Sequence, residues 1–152
     1  MSPLERNRAV VLAGLAACAC LPAFAALGGA VDTIQGDVQS MRATRHLASH
    51  AGYDVHELTL GSGTVVREFV GPQGTVFGVA WQGPIKPDLE RLLGAGFQRF
   101  TAAARVPHGG HRWLAVREPD LVVESGGRMR NFTGRAYLPQ LLPSSVAIGD
   151  IR

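Results

Sequence analysis

The clearest pattern in the chain is a set of three runs in which apolar and polar residues alternate. The runs cover residues 53–60, 64–70 and 75–81, and glycine-rich turns at 61–63 and 71–74 separate them. They are rich in β-branched and aromatic residues, which is typical of strands, and Gly-Pro-Gln-Gly suits a tight reversal. We therefore predict a three-stranded antiparallel meander.

Charge favours one register for this meander. When the first two runs pair directly across the turn at 61–63, Glu57 lies opposite Arg67 and His56 lies opposite Glu68. Opposite charges on facing residues stabilise a strand pair, so we prefer this register. The pairs predicted for the second hairpin are Val70–Thr75, Glu68–Phe77 and Arg67–Gly78.

The predicted register gives the sheet two faces. His56 and Glu68 share a face with Trp81, whereas Glu57 and Arg67 lie on the opposite face. The apolar residues expected on the Trp81 face are Leu58, Leu60, Val66, Val70, Phe77 and Val79. Those expected on the opposite face are Tyr53, Val55, Val65, Phe69, Val76 and Ala80. A slip of one residue would exchange the two sets.

The segment after the meander has the spacing of an amphipathic helix. Its apolar positions are Leu89, Leu92, Leu93, Phe97, Phe100 and Ala104. Pro87 suits a first helical position, and Asp88 and Glu90 suit the positive end of the helix dipole. Gly94 and Gly96 weaken this helix but let it pack closely on a sheet.

Two further strand patterns complete the fold class. We predict a strand at residues 112–117 and a hairpin of residues 121–125 and 128–137, which turns at Gly126 and Gly127. The predicted class is α+β: an antiparallel sheet, built from a three-stranded meander and a C-terminal hairpin, packed against one main helix.

The first 25 residues have the pattern of a cleavable signal peptide. A short start with Arg6 and Arg8 precedes an apolar run at residues 9–21, and Ala-Phe-Ala at 23–25 is a small-x-small cleavage site. This run is too short to span a bilayer, and no second one follows. We expect residues 26–152 to form one small domain that is periplasmic or secreted, with no transmembrane span.

An alternative interpretation of the same segment is a lipoprotein signal. Leu-Ala-Ala-Cys at residues 15–18 resembles a lipobox, in which Cys18 would carry the lipid and attach the protein to a membrane. The proline break and the small-residue site lie downstream of Cys18, which favours ordinary cleavage. Ordinary cleavage removes both cysteines, so the mature chain has no thiol chemistry.

Charge and composition exclude one class of partner. Removing residues 1–25 leaves 13 basic and 11 acidic residues, a net charge of +2. This excess is too small to indicate nucleic-acid binding. No sequence motif indicates a cofactor.

The residues that suggest catalysis lie in the first hairpin. His56 and Glu68 have the chemistry of a general base with a carboxylate, and Arg67 could hold an anion. The same residues also read as ordinary cross-strand pairs, which we prefer because no cleft is evident from the sequence. A ligand-binding interpretation assigns Trp81 and Arg67, with Trp81 bordering a groove formed by residues 81–87.

No histidine set matches a metal motif. His46 and His50 would share a face if residues 41–50 were helical, and periodicity does not decide between strand and helix there. His108 and His111 flank a Gly-Gly loop. We interpret all four as surface residues and predict no metal site.

Several stretches together carry a family resemblance. They are LGG at residues 27–29, AGYDVHE at 51–57, GTVVREFV at 63–70, VFGVAWQGP at 76–84, PDL at 87–89 and LVVESGG at 121–127. The chain resembles a family of short exported proteobacterial proteins classed as domain of unknown function 2844. The resemblance implies export and a single domain, and it implies no activity and no catalytic residues.

The leading hypothesis is a non-enzymatic periplasmic or secreted binding or accessory domain. Its partner would be an envelope protein or a small ligand. The alternatives are a small hydrolase that uses His56 and Glu68, and a lipid-anchored envelope protein held through Cys18.

Overall fold

This computed structural model describes residues 27–106 and 113–152. Within these residues the fold has seven strands and three short α-helices. The strands are β1 (Thr44–His50), β2 (Tyr53–Thr59), β3 (Val65–Val70), β4 (Val76–Gly83), β5 (Trp113–Arg117), β6 (Val122–Arg128) and β7 (Asn131–Tyr137). They form one antiparallel sheet in the order β1-β2-β3-β4-β7-β6-β5.

The helices are α1 (Ile34–Ser40), α2 (Leu89–Leu93) and α3 (Phe97–Arg105). The predicted α+β class and antiparallel sheet are confirmed, but the sheet is larger than predicted. Residues 44–50 form strand β1, so the meander has four strands and not three. In the described parts of the chain, no helix is long and apolar enough to cross a membrane.

The register predicted for the first hairpin is confirmed. His56 pairs with Glu68 and Glu57 pairs with Arg67. The turn closes as the glycine pattern indicates, because the backbone N–H of Leu60 donates to the carbonyl of Thr64 at 2.9 Å.

The register predicted for the second hairpin is wrong. Glu68 pairs with Val79 and not Phe77, and Arg67 pairs with Ala80 and not Gly78. Val70 already pairs with Val76 and not Thr75, a shift of one residue next to the turn, and a β-bulge between Phe69 and Val70 adds a second residue on β4. Alternation alone cannot reveal either shift. The bulge also exchanges two side chains: Val76 packs with Trp81, and Phe77 packs on the opposite face.

The last hairpin turns later than the sequence predicts. Arg128 pairs with Asn131, so the two turn residues are Met129 and Arg130, and Arg130 has a φ of 63°. Gly126 and Gly127 lie inside β6. A side chain at Gly127 would overlap the backbone of β7. This glycine therefore allows β6 and β7 to approach closely, and it is not part of the turn.

The predicted single helix is divided in two. A one-turn 3₁₀ segment, Gly94–Gly96, separates α2 from α3, because Gly94 adopts a φ of 50° that ends α2. Helix α2 begins at Leu89, two residues later than the predicted start at Pro87. Asp88 is its N-cap, and its side chain accepts from the N–H of Arg91 at 3.1 Å. A Cβ at Gly96 would come 3.1 Å from Leu121, which shows how closely this segment packs on the sheet end.

Two apolar clusters cover the two faces of the sheet. The helix face, which is the face of Trp81, packs against all three helices through Ile34, Leu89, Leu92, Leu93 and Phe100. We call the other side the groove face; Val55, Phe69 and Phe77 lie on it. Ile151 is fully buried there, so residues 142–152 return across the sheet and cover part of this face.

Candidate functional site

A groove of about 560 Å³ lies on the groove face, over β1, β2 and β3. Its apolar residues are Ala48, Tyr53, Val55 and Phe69, and its polar residues are His46, His50, Glu57, Arg67, Gln82, Asp150 and Arg152. The volume falls within the range of small-molecule sites in proteins. Residues 142–152 wall one side, because Asp150 and Arg152 reach the groove from that segment.

Aromatic rings build the floor of the groove. The rings of His50 and Tyr53 stack with centroids 4.8 Å apart and planes 10° apart. Tyr53 in turn contacts Phe69 and Phe77, with centroids 6.3 and 6.2 Å away. This packing fixes the position of Tyr53, so the floor is preformed.

An arginine holds one wall of the groove in place. The Nε of Arg67 donates to Oε2 of Glu57 at 2.8 Å, and its Nη1 donates to the carbonyl of Arg152 at 3.1 Å. The side chains of Arg67 and Glu57 are 31% and 36% exposed, so the pair can also meet a ligand. The sequence identified this pair through register and charge.

A second arginine makes the same two kinds of contact outside the groove. The Nε of Arg135 donates to Oε2 of Glu124 at 2.9 Å, and its Nη1 donates to the carbonyl of Ile148 at 2.9 Å. Hydrogen bonds from Arg117 and then Arg135 lower the pKa of Glu124. Arg67 and Arg135 therefore both anchor residues 142–152 to the sheet, and of the two only Arg67 lines the groove.

The other predicted site residues lie beneath the helices. His56 is 3% exposed, Glu68 is fully buried and Trp81 is 1% exposed. They share the helix face, and Glu57 and Arg67 share the groove face, as the first-hairpin register predicts. Trp81 thus lies in the core and not at a groove edge, and its role in ligand binding stays a prediction.

Burial determines the charge states of Glu68 and His56. Burial is the largest cause that raises the pKa of Glu68 to about 8. The negative charge of Asp37 adds to the rise, and the positive charge of Arg45 opposes it. Burial, and to a smaller extent the positive charge of Arg45, lowers the pKa of His56. Both side chains are therefore neutral at pH 7, and in the described residues no hydrogen bond joins them.

His46 and His50 lie on strand β1, so of the two alternatives left open for residues 41–50 the strand is the one observed. Four residues along a strand span about 13 Å, too far for two imidazoles to bind one ion. Within residues 27–106 and 113–152, no three potential ligand side chains come together. The predictions for His108, His111, Cys18 and residues 1–25 concern positions outside the described residues.

Sequence reasoning missed the residues that close the groove. Tyr53 was expected on this face, but Gln82, Asp150 and Arg152 were not singled out. Gln82 is the polar residue that follows Trp81 in β4, which was a usable signal. Nothing local indicates that residues 150 and 152 lie beside β3, since that contact joins positions 85 residues apart.

The fold and the groove define a class: an α+β domain with an antiparallel sheet, helices on one face and a preformed polar groove on the other. The chain belongs to the family described as "Protein of unknown function (DUF2844)", which it matches over residues 23–151. No curated protein and no solved structure matches it.

Proposed function

We propose that this protein is a non-enzymatic binding domain of the cell envelope, and that its ligand occupies the groove over β1–β3. The observation that carries the proposal is the groove itself, with an aromatic floor beside an anchored arginine. Concave sites that combine apolar surface with a few fixed polar groups are the usual form of a small-molecule site.

The charges of the groove favour one class of ligand. The positive charges of two arginines, Arg67 and Arg152, are balanced by the negative charges of two carboxylates, Glu57 and Asp150. A ligand with a large net charge of either sign would meet a like charge on one wall. We therefore assign the groove to a small uncharged or zwitterionic molecule that offers both donors and acceptors.

The geometry supports binding better than hydrolysis. The hydrolase alternative requires His56 and Glu68 to meet a substrate, yet they are 3% and 0% exposed. Among the described residues neither carboxylate oxygen of Glu68 has a hydrogen-bond partner, so it does not orient His56. A substrate would reach this pair only after the helix layer moved.

The envelope location rests on the signal pattern of residues 1–25. Export with cleavage predicts a mature chain that begins at Ala26, which mass spectrometry of the protein from its native cells measures directly. An acylated Cys18 at the N-terminus would support the lipoprotein alternative instead. A chain that retains Met1 would contradict export by either route.

A matched pair of arginine variants tests the groove. Arg67→Gln should weaken ligand binding about tenfold, because it removes the charged donor on the groove wall. Arg117→Gln removes an exposed arginine–carboxylate contact on β5, away from the groove and from residues 142–152, and should leave the affinity unchanged. The measurement is calorimetry with a panel of L-amino acids and neutral monosaccharides, with citrate and spermidine as strongly charged comparisons.

The panel also tests the ligand class. We expect binding by a zwitterionic or neutral member and none by citrate or spermidine. Equal loss of affinity in both variants would mean that the groove is not the site. Preference for citrate or spermidine would contradict the balance of charge argued from Arg67, Arg152, Glu57 and Asp150.

A further inference from the structure

The strongest feature outside the groove is a carboxyl group buried at the centre of the helix face. Glu68 on β3 has no exposed surface. In the part of the chain that the structure describes, both of its carboxylate oxygens lack a hydrogen-bond partner, as does Nε1 of the buried Trp81. A carboxylate is costly in such a place, because its charge loses water and gains no donor in return.

Every neighbouring element except β4 contributes a charged or titratable group. Strand β1 contributes Arg45 and β2 contributes His56, whereas β4 contributes only apolar side chains here. Helix α1 contributes Asp37, which is fully buried and forms an ion pair with Arg91 of α2 at 3.3 Å. The like charge that acts on Glu68 therefore belongs to helix α1.

Helix α1 is held over this cluster by few buried side chains. It has seven residues, and its buried residues are Ile34 and Asp37. A helix of this length is unstable without tertiary contacts, because too few backbone hydrogen bonds offset its nucleation. Its position on the sheet therefore depends on the tertiary contacts of its two buried residues, Ile34 and Asp37.

We propose that Glu68 is a proton-operated latch for helix α1: the protonated carboxyl keeps α1 seated on the sheet, and loss of the proton releases it. Ionised Glu68 repels Asp37 and draws water into the interface, and release of α1 relieves both. The released state gives up the burial of Ile34. The latch is independent of the groove, which lies on the other face.

The direction of the pH effect follows from the two states of Glu68. With α1 seated, burial holds the pKa of Glu68 at about 8; with α1 released, the group is hydrated and returns toward its ordinary value near 4.5. The released state binds fewer protons between these two values. Opening of α1 therefore becomes more favourable as pH rises through that window.

Native-state hydrogen exchange of the α1 amides, corrected for intrinsic rates, tests the latch. Between pH 5 and pH 7 we expect protection in α1 to fall by up to about tenfold per pH unit. Glu68→Gln should remove this dependence, because its amide cannot ionise. Glu90→Gln on the exposed side of α2 is the matched control and should retain it.

Amides of β7 separate local opening from global unfolding. The proposal expects them to stay more protected than the α1 amides at every pH. Protection in α1 that is independent of pH, or that falls equally in Glu68→Gln, would overturn the latch. Protection in α1 equal to that in β7 would also overturn it, since α1 would then open only when the whole domain unfolds.

Discussion

Replacing Glu68 by Gln should stabilise the protein, and the gain should grow with pH. The folded protein holds Glu68 protonated up to about pH 8, whereas the unfolded chain releases that proton near pH 4.5. Wild-type stability is therefore highest below pH 4.5 as far as this group is concerned, and it falls as pH rises toward 8. Glutamine has a similar shape and no charge, so it avoids this loss.

The size of the gain follows from proton linkage. One pKa unit corresponds to about 1.4 kcal/mol, so Glu68→Gln should raise the free energy of unfolding by about 3 kcal/mol at pH 7. Near pH 4.5 the difference should be less than about 1 kcal/mol, because the folded state holds the proton and the unfolded chain still holds it in about half of its molecules. Urea unfolding followed by circular dichroism at several pH values measures it.

A matched carboxylate provides the control for that series. Glu90 is exposed on α2, so Glu90→Gln should change the free energy of unfolding by no more than about 0.5 kcal/mol across the range. A loss of stability in Glu68→Gln at pH 8 would contradict the account. So would a gain that does not vary with pH, since a neutral buried carboxyl gives no such result.

Gly134→Ala should have the second large effect, in the opposite direction. Gly134 on β7 pairs with Trp81, and a Cβ there would overlap the indole ring. The same atom would lie 2.7 Å from the backbone carbonyl of Glu124, so a change of Trp81 rotamer cannot make room. We expect a loss of about 3 kcal/mol or more, measured by urea unfolding at pH 7.

Gly36→Ala is the matched glycine substitution. Gly36 lies in α1, and a Cβ there would meet nothing within 4 Å. Alanine favours a helix by up to about 1 kcal/mol, so this variant should be as stable as the wild type or more stable. If Gly134→Ala unfolded at the same urea concentration as Gly36→Ala, Trp81 would not pack against β7 as described.

Alternation and charge predicted the first hairpin because both act between neighbouring residues. The pairs His56–Glu68 and Glu57–Arg67 fix parity, and parity alone assigns these residues to their faces. The prediction for the second hairpin was wrong because the pairing next to the turn is shifted by one residue and a bulge adds another, and neither changes the composition. In the last hairpin the turn was predicted at Gly126 and Gly127. Gly127 instead allows the two strands to approach closely, and Arg130 adopts the positive φ of the turn.

The site was predicted in part, and the missing part is long-range. Register placed Arg67 beside Glu57, but the wall from Asp150 and Arg152 depends on the return of residues 142–152 across the sheet. The buried carboxyl group that acts on Glu68 is Asp37 of α1, and the short and weakly patterned sequence of α1 does not indicate that this helix packs on the sheet. The local sequence pattern therefore predicted on which face of the sheet each side chain lies. Which of these side chains are exposed to solvent depends on tertiary contacts that the local pattern does not contain.

The claim that ligands bind in the groove over β1–β3 is tested most directly by NMR. Backbone amide shifts are followed while the tightest-binding member of the amino-acid and monosaccharide panel is added. The account predicts that the largest shifts fall on His46, Tyr53 and Arg67 and on residues 150–152. Shifts confined to the helices or to β5 and β6, or no shift with any member of the panel, would contradict it.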